Sequence, residues 1–223
     1  MKLIGVGFGR SGTMSIKQAI EDLGEGPCFH MIDLIRNPDS VGPWHDAVIK
    51  GNVDLDAMFA GYKATIDWPG CTFWRELIDA YPDVPVLLNY RDFEGWHKSM
   101  TNTVYDIRRH AMRGELTQDA NRPAPSPELW QVIGTVVWDR DLEGHFEDFE
   151  ENKDAVREIY ERRIETLREE IPSDRLVEFE LGVSGWPEIC GALGVEEPDR
   201  EFPHLHDTDE FRAEFGLPPL AAA

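Results

Sequence analysis

The sequence predicts an α/β fold of three layers, with helices on both faces of a mostly parallel central sheet. Short apolar runs at residues 3–6, 84–89 and 175–181 read as buried strands. Longer segments between them carry apolar residues at helical spacing. Strands that alternate with helices imply parallel pairing, with both faces of the sheet covered. At 223 residues the chain suits one such domain, 1–223, carrying a helical insertion over 102–172.

The first strand, 3–6, is bounded by glycines. Gly5, Gly7, Gly9 and Gly12 then crowd a turn where backbone can approach a ligand without a Cβ in the way. Ile16, Ala19, Ile20 and Leu23 form one apolar helix face, and Gly24 stops that helix. Strand, glycine turn and helix together aim free N–H groups at an anion, and a phosphate or sulfate ester fits best. The alternative is a strand–helix turn without a ligand. Gly7 and Gly12 have the Walker spacing, but Thr13 stands where that motif has lysine, and Arg10 is the cation inside the loop. The fold is therefore P-loop-like with its cation displaced, which disfavours an ordinary ATPase or GTPase.

Residues 27–31 predict a short strand ending near His30, and 32–62 read as helices and turns, at 44–49 and 55–62. A helix over 72–81 carries Phe73, Trp74, Leu77 and Ile78, and Pro82 closes it. Arg91 lies just past the strand at 84–89, and a helix from 93 to about 112 follows, on which His97 and His110 are expected to face solvent. A long loop occupies 113–128, and loops of that length often close over sites. A helix over 130–142 follows, then a highly charged one over 150–170 that reads as a solvated face. The strand at 175–181, a short helix over 186–193 and a Pro-rich tail complete the chain.

Right-handed crossovers place the C-terminal ends of parallel strands along one edge, where ligands of such sheets bind. The glycine turn, His30 and Arg91 all follow predicted strands, so they meet in one crevice. Arg91 and Ser99, eight residues apart at the entry to a helix, can grip one phosphate from two sides. The alternative for Arg91 is an ion pair with Asp92 or Glu94.

Residues 8–15, Phe-Gly-Arg-Ser-Gly-Thr-Met-Ser, resemble the 5′-phosphosulfate loop of sulfotransferases that use 3′-phosphoadenosine-5′-phosphosulfate (PAPS). Residues 89–99 are similar to that family's 3′-phosphate segment, with Phe93 where proline is frequent. The resemblance covers 3–35 and about 64–101, and resumes weakly at 175–195. It implies PAPS as sulfate donor, bound by Gly9, Arg10, Ser11, Gly12, Thr13, Met14 and Ser15 at one end and by Arg91 and Ser99 at the other. Arg10 would stabilise the leaving phosphate. A base is needed for the acceptor's proton. His30 stands where several relatives carry glutamate, and imidazole titrates near neutrality; a core or capping role is its alternative. Asp67, in Asp67-Trp68-Pro69, is the rival base, with turn formation as its alternative. Trp186 suits adenine stacking or the core, and the acceptor is expected to engage residues 102–172.

A net charge of −21 opposes nucleic acid, anionic membranes and polyanionic acceptors, with a soluble, salt-adapted surface as its alternative reading; the resemblance implies a small-molecule alcohol, phenol or amine as acceptor. No apolar run reaches a membrane span. Cys28, Cys71 and Cys190 are widely spaced and read as reduced core thiols. With a strand beginning at residue 3 in place of a signal peptide, they predict a cytoplasmic protein. No metal is expected, since His204, His206 and Asp207 read as a polar loop. Two competing functions stay open: a P-loop kinase, which would need a lysine in the loop and a magnesium-binding carboxylate, and a non-catalytic nucleotide-binding module.

Overall fold

The computed structural model describes residues 1–116, 125–205 and 208–220. In chain order its elements begin with β1 (Leu3–Gly5), α1 (Thr13–Asp22), β2 (Cys28–Phe29), α2 (Met31–Arg36), α3 (Val41–Lys50), α4 (Leu55–Met58) and β3 (Ala64–Thr65). After a 3-10 turn at Gly70–Phe73 come α5 (Trp74–Ala80), β4 (Val86–Tyr90) and α6 (Phe93–Met100). A π-helical stretch, Thr101–Tyr105, leads into α7 (Asp106–Met112). Then α8 (Pro127–Ile133) runs into a second π-helical stretch, Gly134–Asp141. The chain continues with α9 (Lys153–Glu170), β5 (Leu176–Glu180), α10 (Trp186–Leu193) and α11 (Thr208–Glu214).

The five strands pair in parallel in the order β2-β3-β1-β4-β5. Successive residues of a strand point to opposite faces, and the two cores follow that alternation. Leu3 and Leu87 pack with Ile16 and Ile20 of α1 and Ile189 of α10. Ile4, Val86 and Leu88 join the larger core, where α3, α5, α6, α8 and α9 contribute Trp44, Trp74, Trp96, Val132 and Tyr160. All of these residues are buried, which is what holds three layers together.

Topology also makes the crevice. β1 and β4 are neighbours, Ile4 opposite Val86 and Gly5 opposite Leu87. From β1 the chain crosses towards β2 and β3, whereas from β4 it goes on to β5. The two loops leaving their C-terminal ends therefore diverge, and divergence at such a point opens a ligand crevice.

Four expectations need correction. Residues 64–65 form a strand, β3, that two residues of sequence could not announce; Asp67 stands just beyond its end and opens the turn read at Asp67-Trp68-Pro69, its carbonyl accepting from the Cys71 N–H at 3.0 Å. The charged α9 is not a purely solvated helix, since Val156, Ile159, Tyr160 and Leu167 make a buried stripe along it. His97 does not face solvent: it is buried, stacks on Phe149 at 4.7 Å and places Nε2 3.1 Å from the Phe149 carbonyl oxygen, while His110 is half-buried. The tail carries a helix, α11, in place of continuous Pro-rich chain. Half of the residues expected to form the 113–128 loop, 117–124, lie outside the described residues.

Candidate active site

The loop between β1 and α1 is pinned from several sides. Trp96 Nε1 donates to the Gly9 carbonyl at 3.0 Å, and Asn89 Nδ2 donates to the Phe8 carbonyl at 3.3 Å and to Ser11 Oγ. Gly9 lets the loop press on the end of β3, because a Cβ there would lie 2.4 Å from Asp67 Oδ1. Gly12 enters α1 at φ 85°, a left-handed conformation natural to glycine. No side chain caps that helix start. The first N–H groups of α1, those of Thr13, Met14 and Ser15, have no acceptor within the helix and point the positive end of its dipole out of the loop.

Arg10 itself adopts φ 65°, and Asp67 φ 73°. Non-glycine residues rarely hold such angles, and those that do gather at functional sites. The Arg10 turn brings its Nε 3.1 Å from Ser99 Oγ on α6, and its guanidinium lies 4.5 Å from the Phe211 ring of α11. So the glycine loop and the Arg91–Ser99 segment, far apart in sequence, are joined by a direct side-chain bond.

Arg91 follows β4 with its backbone fixed by Tyr160 of α9. The Tyr160 hydroxyl accepts from Arg91 N–H at 3.2 Å and donates to the Arg91 carbonyl at 3.0 Å. Burial, opposed by its bonds to Arg91, pushes the phenol up to about 12, so it stays a neutral donor. The Arg91 side chain meets Asp92 only at 3.9 Å, and its buried Nε has no hydrogen-bond partner. Glu94, the other ion-pair candidate, is taken by Lys153 and Arg157. Asp92, the carboxylate that a kinase reading would have to use, is exposed and caps α6 through the Gly95 N–H at 2.6 Å.

His30 and Asp67 come together beneath the loop. His30 caps α2, its Nδ1 accepting from the Ile32 N–H at 3.1 Å while Asp33 accepts from the His30 N–H at 2.9 Å. The neutral ring accordingly carries its proton on Nε2, an assignment made from these hydrogen bonds. Nε2 lies 2.9 Å from Thr13 Oγ1 and 3.3 Å from Asp67 Oδ2. Asp67 is buried, and loss of water pushes its carboxyl up from 3.8 to about 7 even though Trp68 and Met31 amides and the Arg10 charge pull it down.

These groups line a single cavity of about 590 Å³: Gly9, Arg10, Gly12 to Ser15, His30, Asp67, Arg91 and Ser99 all border it. Ser11 does not; it is buried, its hydroxyl shared between Phe8 and Asn89, and it serves the shape of the loop. Ser15 borders the cavity, but its Oγ accepts from the Leu205 N–H at 3.0 Å, so the C-terminal segment uses that hydroxyl. Trp186 does not border the cavity; it is buried and donates to the Arg200 carbonyl at 2.8 Å.

Sequence reasoning missed Lys98, Tyr160, Trp96 and Phe211. Tyr160 and Trp96 had a signal, since each lies on an apolar helix stripe. Nothing in the sequence placed Phe211 over Arg10. Among the described residues no group of three His, Cys, Asp or Glu side chains could hold a metal; His206 and Asp207 lie outside them. The three cysteines are buried and free, and no described helix is long and apolar enough to cross a membrane.

A family model described as a sulfotransferase domain matches residues 2–211. The chain belongs to the sulfotransferase family. The chain is also 28% identical over 234 residues to the "Ava biosynthesis cluster protein M" of Aspergillus versicolor, covering 94% of this chain and 82% of that protein. Family membership makes sulfuryl transfer the general activity to which the cavity is to be related.

Proposed function

We propose that this sulfotransferase-family chain moves a sulfuryl group from PAPS to a hydroxyl or amine of a small acceptor. The observation that carries this reading is the shared cavity, where two anion grips at the ends of β1 and β4 are joined by the Arg10–Ser99 bond. The residues fit the nucleotide: the start of α1 is uncapped, and Arg91 keeps a buried donor without a hydrogen-bond partner. The bound donor would supply the activated sulfuryl group.

The chain's own residues then have distinct tasks. Amides of Thr13 and Met14 and the Arg10 guanidinium meet charge on the 5′-phosphate as it leaves. Arg91 and Ser99 hold the 3′-phosphate, Ser99 keeping its hydroxyl proton for that purpose because it accepts from Arg10. His30 donates through Nε2, which leaves the Thr13 hydroxyl proton free to point into the cavity. Of the two candidate bases, Asp67 is favoured, since the neutral His30 ring has no lone pair on the side facing the cavity. Transfer breaks the bond between sulfur and the bridging phosphate oxygen, forms one to the acceptor's oxygen or nitrogen, and leaves the acceptor's proton on Asp67.

Residues 102–172 would form the acceptor cap within one domain, since Asn102, Val104, Ile107, Trp130, Ile133 and Val137 border the cavity. A small-molecule acceptor is in keeping with a relative named for a biosynthesis cluster. The deciding test is calorimetry with 3′-phosphoadenosine-5′-phosphate and with adenosine 5′-phosphate. Losing a hydrogen bond between charged groups is worth roughly 1.5–3 kcal/mol, so Arg91→Ala should weaken the first by about 10- to 100-fold and leave the second little changed. Equal losses for both nucleotides, or tighter binding of ATP with magnesium than of the 3′-phosphorylated nucleotide, would sink the reading. Transfer of labelled sulfate to phenols and amines then reports turnover directly.

A further inference from the structure

Arg108 of α7 is a cation in the cavity wall that the transfer chemistry above does not use. It makes no hydrogen bond and no ion pair with any described residue, and its Nε is buried without a partner. Buried polar groups in native proteins are almost always partnered, and a partly desolvated guanidinium without acceptors is costly. Burial accordingly pulls its pKa below the ordinary arginine value, with Asp139 and Glu147 opposing through their charge and not through contact. Among the described residues its attractive neighbour is the Phe146 ring, 4.9 Å from the guanidinium carbon. Space has been left for it: a Cβ on Gly134 would lie 3.1 Å from both Nη1 and Nη2.

Position gives the unpaired cation a meaning. The wall of the cavity follows α6, the π-helical stretch and α7, from Gly95 and Ser99 at the phosphate end to Ile107 and Arg108. Nine residues separate Ser99 from Arg108, roughly 13 Å at the rise of a helix. Arg108 and Trp130 also border a smaller pocket with Met112, Gly134 and Thr135, which places them on the side away from the glycine loop. The lining also includes a set of apolar side chains, Ile32, Ile35, Ile107, Ile133 and Val137, with Asn102 as a polar member. The negative field of the whole chain disfavours an anionic ligand unless a local cation holds it.

Resting on the sulfotransfer reading, we infer that Arg108 is a specificity-determining residue, and that the acceptor is an elongated apolar phenol or alcohol bearing a carboxylate opposite its reacting hydroxyl. The hydroxyl lies at Asp67, the apolar body fills the span, and the carboxylate satisfies the Arg108 fork. Such a pairing breaks no hydrogen bond or ion pair of Arg108 with a described residue.

The test measures binding, so it does not depend on turnover. 4′-Hydroxybiphenyl-4-carboxylate and 4-phenylphenol are titrated by calorimetry into wild type, Arg108→Gln and Arg108→Lys. Wild type should bind the carboxylate about tenfold more tightly or better, equivalent to about 1.4 kcal/mol. Arg108→Gln should abolish the preference, and Arg108→Lys should keep part of it. Thermal unfolding should not fall sharply in either variant, since Arg108→Gln loses the Phe146 contact but also relieves an unpaired, partly desolvated charge. Equal binding of the two compounds by wild type, a preference that persists in Arg108→Gln, or no binding of either compound overturns the inference. 3′-Phosphoadenosine-5′-phosphate is titrated alongside: failure of that nucleotide to bind counts against the donor assignment alone, whereas normal nucleotide binding without acceptor preference counts against Arg108 alone.

Discussion

The Asp67 carboxyl is held where a base for neutral-pH chemistry would need it, and the same burial makes it a stability switch. Its folded value, about 7, lies above the ordinary 3.8, so protonation favours the folded chain. The stabilisation is complete below about pH 4 and drains away as pH rises to 7, at about 1.4 kcal/mol per pH unit, with no further loss above. Asp67→Asn is a clean probe, because asparagine tolerates the φ of 73° and cannot ionise. Urea unfolding across pH 4 to 8 should show wild type losing stability relative to Asp67→Asn up to pH 7; parallel curves would mean that the carboxyl is not buried in this way. The same variant should lose about 100-fold or more in turnover, the usual scale of general-base loss, with little change in nucleotide affinity. Full turnover in Asp67→Asn would return the proton to His30 or to another group.

At the scale of elements, the C-terminal segment decides how closed the cavity is. Arg212 of α11 is buried and donates to the Asn102 carbonyl, Asp106 Oδ2 and the Pro218 carbonyl at 2.7 to 2.8 Å. Those bonds dock α11 onto the π-helical stretch and α7, and the docking carries Phe211 over Arg10. Arg212→Ala removes all three at once without touching a residue of the sheet. Local opening of α11 should become easier by more than about 1.4 kcal/mol, so limited proteolysis within 204–220 should speed up by about tenfold or more while the global thermal midpoint moves little. Unchanged cleavage would show that the segment is held by other contacts. None of this was legible in the sequence, since Phe211 meets Arg10, and Arg212 meets Asn102 and Asp106, across about 100 or more residues, and a single arginine carries no pattern. By contrast, β1, the glycine turn and α1 were readable because they are contiguous and their spacing is local, although the close approach of Gly9 to Asp67 is not. Arg91 and Ser99 were readable because a strand end fixes where the next residue emerges. β3 was not, because Ala64 and Thr65 make too short a run, and so the closeness of Asp67 to His30 was hidden. The sequence spacing around α9 did contain the Tyr160 stripe, but 18 residues dominated by Lys, Arg, Asp and Glu masked it.

Across the whole molecule, charge works against the cavity's contents. The chain carries 43 acidic residues against 22 basic ones, yet the cavity wall offers Arg10, Arg91, Lys98 and Arg108. The two effects differ in range. The field of −21 acts over a Debye length, about 30 Å at 0.01 M salt and about 10 Å at 0.1 M, whereas contacts inside a partly closed cavity are screened much less. A multiply charged anion therefore meets repulsion on approach and attraction on arrival. Stopped-flow fluorescence can separate the steps, because Trp68 and Trp130 border the cavity and should respond to occupancy. The association rate of 3′-phosphoadenosine-5′-phosphate should rise several-fold between 0.01 and 0.1 M salt as the repulsion is screened, with a smaller change in dissociation. An association rate that falls with salt would mean that the arginines project their potential beyond the cavity mouth and steer the ligand in, and the acidic surface would then have no part in setting its entry.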